Sequence, residues 1–152
     1  MAAVAEENFI ATQAPVDVVQ RAERFREVTE RGDPAAVWIL EDDHGRQVGH
    51  LVVEESVRGV LTLGMAILPE FRGRGGGRAL LEAAQEHART VGAHKISLEV
   101  WTDNARAIGL YAAAGFEVEG LLRDHYRRRD GSLRSALIMA WWVREDPPVA
   151  GN

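Results

Sequence analysis

Of the residue types that most often anchor a protein chemically, cysteine is absent from this 152-residue chain. That excludes disulfides, a thiol nucleophile and zinc sites built on thiolates, and it suits an intracellular setting. Long apolar runs are missing too: nowhere do about 18 apolar residues follow one another, and the start, residues 1–7, has no basic segment leading into an apolar one. Neither secretion nor membrane spanning is expected, and the cytoplasm is the default location. Basic residues are the minority charge, 18 against 23 acidic, for a formal net charge of −5. Such a balance argues against a nucleic-acid binder that relies on phosphate contacts, although a local basic patch can coexist with an acidic whole. The five histidines have no ligand spacing: His50, His87, His94 and His125 are scattered and His44 lies in a turn, so no metal site is read.

What is abundant is glycine, concentrated in one place. Residues 69–81 read Pro69-Glu70-Phe71-Arg72-Gly73-Arg74-Gly75-Gly76-Gly77-Arg78-Ala79-Leu80-Leu81. Glycines let the backbone turn until several N–H groups point one way, the helix start that follows adds partial positive charge, and Arg72, Arg74 and Arg78 supply full charges. This is the composition of an anion site. A Walker P-loop is excluded because no Gly-Lys-Ser/Thr follows, and Gly73-x-Gly75-x-x-Arg78 lacks the third small residue of the dinucleotide fingerprint.

The 46% hydrophobic content is enough for the core of one compact domain, expected over residues 1–146, with a disordered Pro-Pro tail at 147–152. Residues 1–14 have no clear period. A helix is expected from Pro15 to about Arg31 with the stripe Val18, Ala22, Phe25 and Val28, stopped by Gly32 and Pro34. Residues 36–41 and 47–54 read as strands around the turn Asp42-Asp43-His44-Gly45, and 59–68 as a third. Beyond the glycine loop, Gly77, Leu80, Leu81, Ala84, Ala88 and Val91 form one helical stripe ended by Gly92. Residues 95–101 form a strand. Thr102, Asp103 and Asn104 are cap-type residues before a helix over 105–114, with Gly115 as its stop. Residues 116–122 and 135–143 are the last strands, joined through the Asp130-Gly131 turn. Together these predict a mixed α/β fold with about three helices on one sheet, mostly antiparallel, with a single parallel βαβ crossover at residues 59–101. A ligand should enter at the carboxyl ends of those parallel strands, where the glycine loop lies.

Two motifs now coincide. Arg72-x-x-Gly75-x-Gly77, led by an apolar strand and Pro69, resembles the acetyl-CoA pyrophosphate loop of the GCN5-related N-acetyltransferases (GNAT). Leu98-Glu99-Val100-x-x-x-Asn104-x-x-Ala107-Ile108-x-Leu110-Tyr111-x-x-x-Gly115-Phe116-x-x-Glu119-Gly120 resembles the family's second signature. The resemblance covers about residues 48–143. It implies a GNAT-like fold, acetyl-CoA as cosubstrate, an amine acceptor and no metal. Two departures stand out. At most 14 residues precede the first helix, where the family usually has a strand and a helix, so a partner chain is one source of the missing strand and an unfilled sheet edge would favour a homodimer. Gly76 replaces a commonly aliphatic residue, which predicts a more flexible loop.

Moving acetyl from a thioester to an amine requires the amine to lose a proton and favours protonation of the departing thiolate. The resemblance assigns the acid to Tyr111, although Ala107, Leu110, Tyr111 and Ala114 share one helix face and Tyr111 would otherwise read as a core aromatic. Glu99, twelve positions earlier, matches the proposed base of acetyltransferases of ribosomal-protein N-termini; a solvent-facing strand residue and a water relay are the alternatives. Met65, Ala66 and Ile67 are implied to offer main-chain groups to the pantetheine and thioester. Asn104, with Ala107, is implied to meet the pantetheine arm, while Asn104 is equally a helix cap. Arg72, Gly73, Arg74, Gly75, Gly76, Gly77 and Arg78 are implied to hold phosphates. Arg127, Arg128 and Arg129 are expected at an exposed hairpin tip, with an acidic acceptor as the sharper reading. Trp101 and Tyr126 line the acceptor pocket or belong to the core. The expected activity is direct acetyl transfer to a small amine, with a protein N-terminus or lysine, or a non-catalytic acyl-CoA-binding module, as alternatives.

Overall fold

A computed structural model describes residues 18–144. Expectations for Pro15, the first strand and the 147–152 tail lie outside these residues. In chain order the elements are α1 (Val18–Arg31), β1 (Ala36–Glu41), β2 (Gln47–Val57), β3 (Val60–Ile67), a 3₁₀ turn (Pro69–Phe71), α2 (Gly76–Thr90), β4 (Lys95–Trp101), α3 (Ala105–Ala113), β5 (Glu117–Arg127) and β6 (Leu133–Trp142). The strands form one sheet in the order β1-β2-β3-β4-β6-β5. All neighbours are antiparallel except β3 and β4, joined by the α2 crossover.

Side chains alternate across a strand, so the register assigns the faces. Leu51, Val53, Leu61, Leu63, Ile96, Leu98 and Val100 gather on one side with Leu80, Leu81, Ala84 and Ala88 of α2 and Tyr111 of α3 in a single core cluster. This is the helical stripe that the glycine loop opens into. Opposite it, His50, Val52 and Glu54 of β2 pair with Ala66, Gly64 and Thr62 of β3, and Thr62 pairs with Ser97 of β4, two residues before Glu99. This second face is small and polar. Among the described residues α1 approaches it at the β2 end, with Val28 fully buried and the Phe25 ring 4.8 Å from the His50 ring. Ala22, counted in the predicted α1 stripe, is exposed.

The parallel pair is short. Val60, Leu61 and Thr62 match Lys95, Ile96 and Ser97, and there the pairing stops, while Leu98 to Trp101 continue against β6. From Leu63 to Ile67, β3 therefore has β2 on one side and no strand partner on the other. The sheet opens as a V at the carboxyl ends of β3 and β4.

β5 runs past its predicted end. Its register breaks between Leu122 and Tyr126, where Asp124 takes a φ of 47°. A bulge of this kind re-aims the side chains beyond it. As a result the predicted exposed tip is corrected at its centre: Arg127 and Arg129 are exposed, but Arg128 is only 5% exposed, its guanidinium 5.0 Å from the Trp101 ring.

Candidate active site

The opening between β3 and β4 is a cleft of about 1380 Å³. It is lined from both faces of the sheet: Leu63, Met65, Leu98 and Tyr111 from the core side, and His50, Gly64, Ser97 and Glu99 from the polar side. The cleft thus passes through the sheet, and each mouth has its own chemistry.

At the core-side mouth the chain after β3 makes the turn that the glycines allow. Gly73 and Gly75 have φ of 73° and 87°, and a Cβ on either would meet nothing within 4 Å, so both border open space. Gly75 is the N-cap of α2 and provides no side-chain acceptor for the first-turn N–H groups. Those groups, with the helix dipole behind them, favour an anion there. Gly77 is buried, and a Cβ would stand 2.8 Å from the Leu110 Cδ2, so a larger residue there would make the Leu110 side chain shift where α2 approaches α3. Gly76, expected to make the loop more flexible, is the first residue of α2, where Leu40 fills the space beside it, a Cβ falling 2.5 Å from the Leu40 Cδ2.

The three arginines separate. Arg72 is partly buried and donates from Nε to the Ile67 carbonyl at 3.1 Å, tying the loop to the end of β3. Arg78 lines the cleft and pairs with Glu82 at 2.9 Å along the helix. Arg74 lies outside the lining, stacked over the Phe71 ring at 5.1 Å. Met65, Ala66 and Ile67 form the β3 wall that β4 leaves unpaired, and all three line the cleft.

Across the cleft, Asn104 caps α3 by accepting from the Ala107 N–H at 3.2 Å, and both residues also line the opening. Tyr111 combines its two sequence readings. Its ring belongs to the core cluster, 5.9 Å from the Phe116 ring, while the side chain reaches the cleft. Burial pushes its phenol up to about 12, so it stays protonated at neutral pH.

At the polar mouth Glu99 is exposed to the cleft and accepts a hydrogen bond from the Tyr126 hydroxyl. Desolvation, then the hydrogen bond and charge of Glu99, push the Tyr126 phenol up to about 12. The Tyr126 ring is held edge-on by Trp101, with centroids 5.5 Å apart. Tyr126 therefore lines the site, whereas Trp101, 1% exposed, is core. The far wall, missed by sequence reasoning, is Arg21, Arg24 and Phe25 of α1 with His50 and Glu54 of β2. Burial, followed by the nearby charge of Arg21, lowers the His50 pKa to about 4. The available signal was polar residues at alternate positions of central strands: His50 and Glu54, Thr62 and Gly64, Ser97 and Glu99. Among the described residues no group of three or more His, Cys, Asp or Glu forms a metal site, and no helix is long and apolar enough to cross a membrane.

The family model of the GNAT acetyltransferases matches residues 4–116. The chain belongs to the GNAT family of acetyltransferases. It is 30% identical over 123 residues to the L-methionine sulfoximine/L-methionine sulfone acetyltransferase of Pseudomonas aeruginosa, covering 78% of this chain and 70% of that protein. It is 31% identical over 97 residues to the ribosomal protein bS18 alanine N-acetyltransferase of Escherichia coli, covering 64% and 65%. A 92-residue match at 39% identity to the mycothiol acetyltransferase of Propionibacterium freudenreichii takes in 57% of this chain and 29% of that one. In three dimensions the acetyltransferase superposes on the phosphinothricin acetyltransferase of Sinorhizobium meliloti, solved with acetyl-CoA, at a TM-score of 0.80 and 21% identity, covering 98% of this chain and 86% of that one. It is therefore an acetyl-CoA-dependent N-acetyltransferase with the GNAT fold. The open glycine turn, the uncapped α2 start and the through-sheet cleft fit that cosubstrate.

Proposed function

We propose that this acetyltransferase carries acetyl from acetyl-CoA to the primary amine of a small molecule, by direct attack in a ternary complex. The observation that carries the reading is the cleft through the sheet, which lets two substrates approach the same point from opposite faces. Acetyl-CoA supplies an activated thioester. Gly73, Gly75, Gly77, Arg72 and Arg78 hold its phosphates at the α2 start, and the main chain of Met65, Ala66 and Ile67 with Asn104 and Ala107 borders its pantetheine. Arg74 and Gly76 support the loop from outside the cleft. Glu99, on the polar face, takes the proton that the acceptor ammonium must lose before it attacks. Tyr111, on the core face and kept protonated by burial, donates a proton to the departing thiolate. No cysteine is present to form an acetyl-enzyme.

The small-molecule acceptor is supported by the P. aeruginosa relative, whose named substrates are amino-acid derivatives and of which this chain covers 70%. The second reading, acetylation of a protein N-terminus, is supported by the E. coli bS18 enzyme. The reading further includes a cytoplasmic location, where acetyl-CoA is at hand, no nucleic-acid or membrane partner and no metal. It also includes a homodimer, for which the open β1 edge of the described sheet is the candidate joint.

Calorimetric titration with acetyl-CoA, followed by a free-thiol assay over amino acids, polyamines, antibiotics and N-terminal peptides, tests the reading. Binding with thiol release dependent on a small amine is expected. Release with peptides alone favours the second reading, and binding without release on any acceptor favours a non-catalytic module.

A further inference from the structure

Glu99 is a flexible side chain at a wide mouth, and a base there is effective only if its carboxylate is held in place. Among the described residues it takes part in no ion pair, and the Tyr126 hydroxyl, donating to its Oε2, is its one hydrogen-bond partner. Ile138, opposite it on β6, offers no polar group.

Tyr126 reaches Glu99 from β5, two strands away at the edge of the sheet, because β5 is bulged. Leu122 pairs with Ala136, so an unbroken register would set Asp124 opposite Arg134; the bulge carries Tyr126 there instead. Asp124, at a φ of 47°, turns the chain and donates its N–H to the Ser135 Oγ at 2.9 Å. Partners across a ladder share a face, so the register through β6 puts Tyr126 on the face that carries Trp101 and Glu99.

The phenol ring is then braced. Trp101 meets it edge-on at 5.5 Å and the His125 ring lies 4.9 Å away. Trp101 is itself core, with the Arg134 guanidinium 4.2 Å and the Arg128 guanidinium 5.0 Å from its ring, and Arg134 is held by Asp103 at 2.9 Å. A donor on such a base fixes the carboxylate rather than following it. With its phenol pushed up to about 12, Tyr126 keeps its proton at neutral pH and remains a donor.

We propose that Tyr126 is a positioning residue for the reaction: by holding Glu99 Oε2 it leaves Oε1 as the oxygen that meets the acceptor ammonium. Oε1 takes the ammonium proton, an N–H bond breaking as an O–H bond forms, and Tyr126 neither gains nor loses a proton. The role rests on the reading of Glu99 as the base. It also gives the β5 bulge a purpose, since the bulge is what brings the phenol to the carboxylate.

The test is a double-mutant cycle of Tyr126→Phe and Glu99→Gln, read as free-thiol release. The acceptor is whichever of the amino acids, polyamines, antibiotics and N-terminal peptides wild type acetylates fastest. Phenylalanine keeps the ring against Trp101 and removes the hydroxyl alone. Tyr126→Phe is expected to lower kcat about tenfold or more, with acceptor KM and acetyl-CoA affinity within about twofold of wild type. In the Glu99→Gln background the same change is expected to cost less than about twofold, because no base is left to orient. Acetyl-CoA affinity near that of wild type shows that each variant is folded. Wild-type kcat in Tyr126→Phe beside an impaired Glu99→Gln, a loss carried by the acceptor KM, or equal losses in both backgrounds would overturn the positioning role and leave Glu99 as the base. Wild-type kcat in Glu99→Gln, or no thiol release by wild type on any acceptor, would overturn both.

Discussion

Burial acts on two titratable residues of the cleft with opposite consequences. It raises the Tyr111 phenol to about 12, which preserves a proton donor, and lowers the His50 imidazole to about 4, which removes a charge. For His50 the effect reaches stability. Between about pH 6.5, its ordinary value, and pH 4, the unfolded chain binds a proton that the folded chain refuses. Stability therefore falls as pH drops through that window, and by about 3 kcal/mol in all if the shift is fully expressed. Above pH 7 the contribution is flat. His50→Gln is expected to lose less stability than wild type between pH 7 and pH 4, measured as urea midpoints. Parallel pH curves for the two proteins would show that His50 is not the group responsible. Neither His50 nor its partner Arg21 was legible as a site residue. They lie 29 positions apart, and only the packing of α1 across β2 brings them together. Tyr111 was legible, because its motif spacing fixes which turn of α3 meets the cleft.

At the scale of the element, the glycine loop and α2 were the most readable part of the chain. The stripe Gly77, Leu80, Leu81, Ala84 and Ala88 is buried as its spacing predicts, and glycines at positive φ stand where the turn needs them. What the sequence did not reveal is that three similar arginines do three different things. Arg72→Ala is expected to weaken acetyl-CoA binding about tenfold or more, and to make it less sensitive to salt, because it removes a charge and unties the loop from the Ile67 carbonyl. Arg74→Ala, outside the lining, is expected to stay within about twofold of wild type. Calorimetry at two ionic strengths checks both, and equal losses in the two variants would contradict the assignment. β5 was the least readable element. A bulge with Asp124 at positive φ shifts its alternation, and a run of three arginines that looks solvated sends the middle one onto Trp101.

Over the whole molecule, the sheet is both partition and passage. Its core face carries α2, α3 and the glycine loop proposed to hold acetyl-CoA, its other face is small and polar with α1 at the β2 end, and the two meet where β3 and β4 part after three paired residues. The mixed sheet with one crossover followed from the order of elements. The premature end of the parallel pairing did not, since strand patterns give direction and length but not where neighbours diverge. If the two substrates use opposite faces, filling the polar side affects only one. Gly64→Val, which adds bulk to the open space there, is expected to raise the acceptor KM by about tenfold while acetyl-CoA affinity is unchanged. Weakened acetyl-CoA binding with an unaltered acceptor KM would reverse the assignment of the faces.

The central claim, that the cleft joins a protonated donor on one face to an amine on the other, is tested most directly by the turnover of Tyr111→Phe. The account predicts that kcat falls by about 10²-fold or more while the acetyl-CoA dissociation constant stays near that of wild type, because only the proton for the departing thiolate is lost. A kcat equal to that of wild type would contradict it and return Tyr111 to the core.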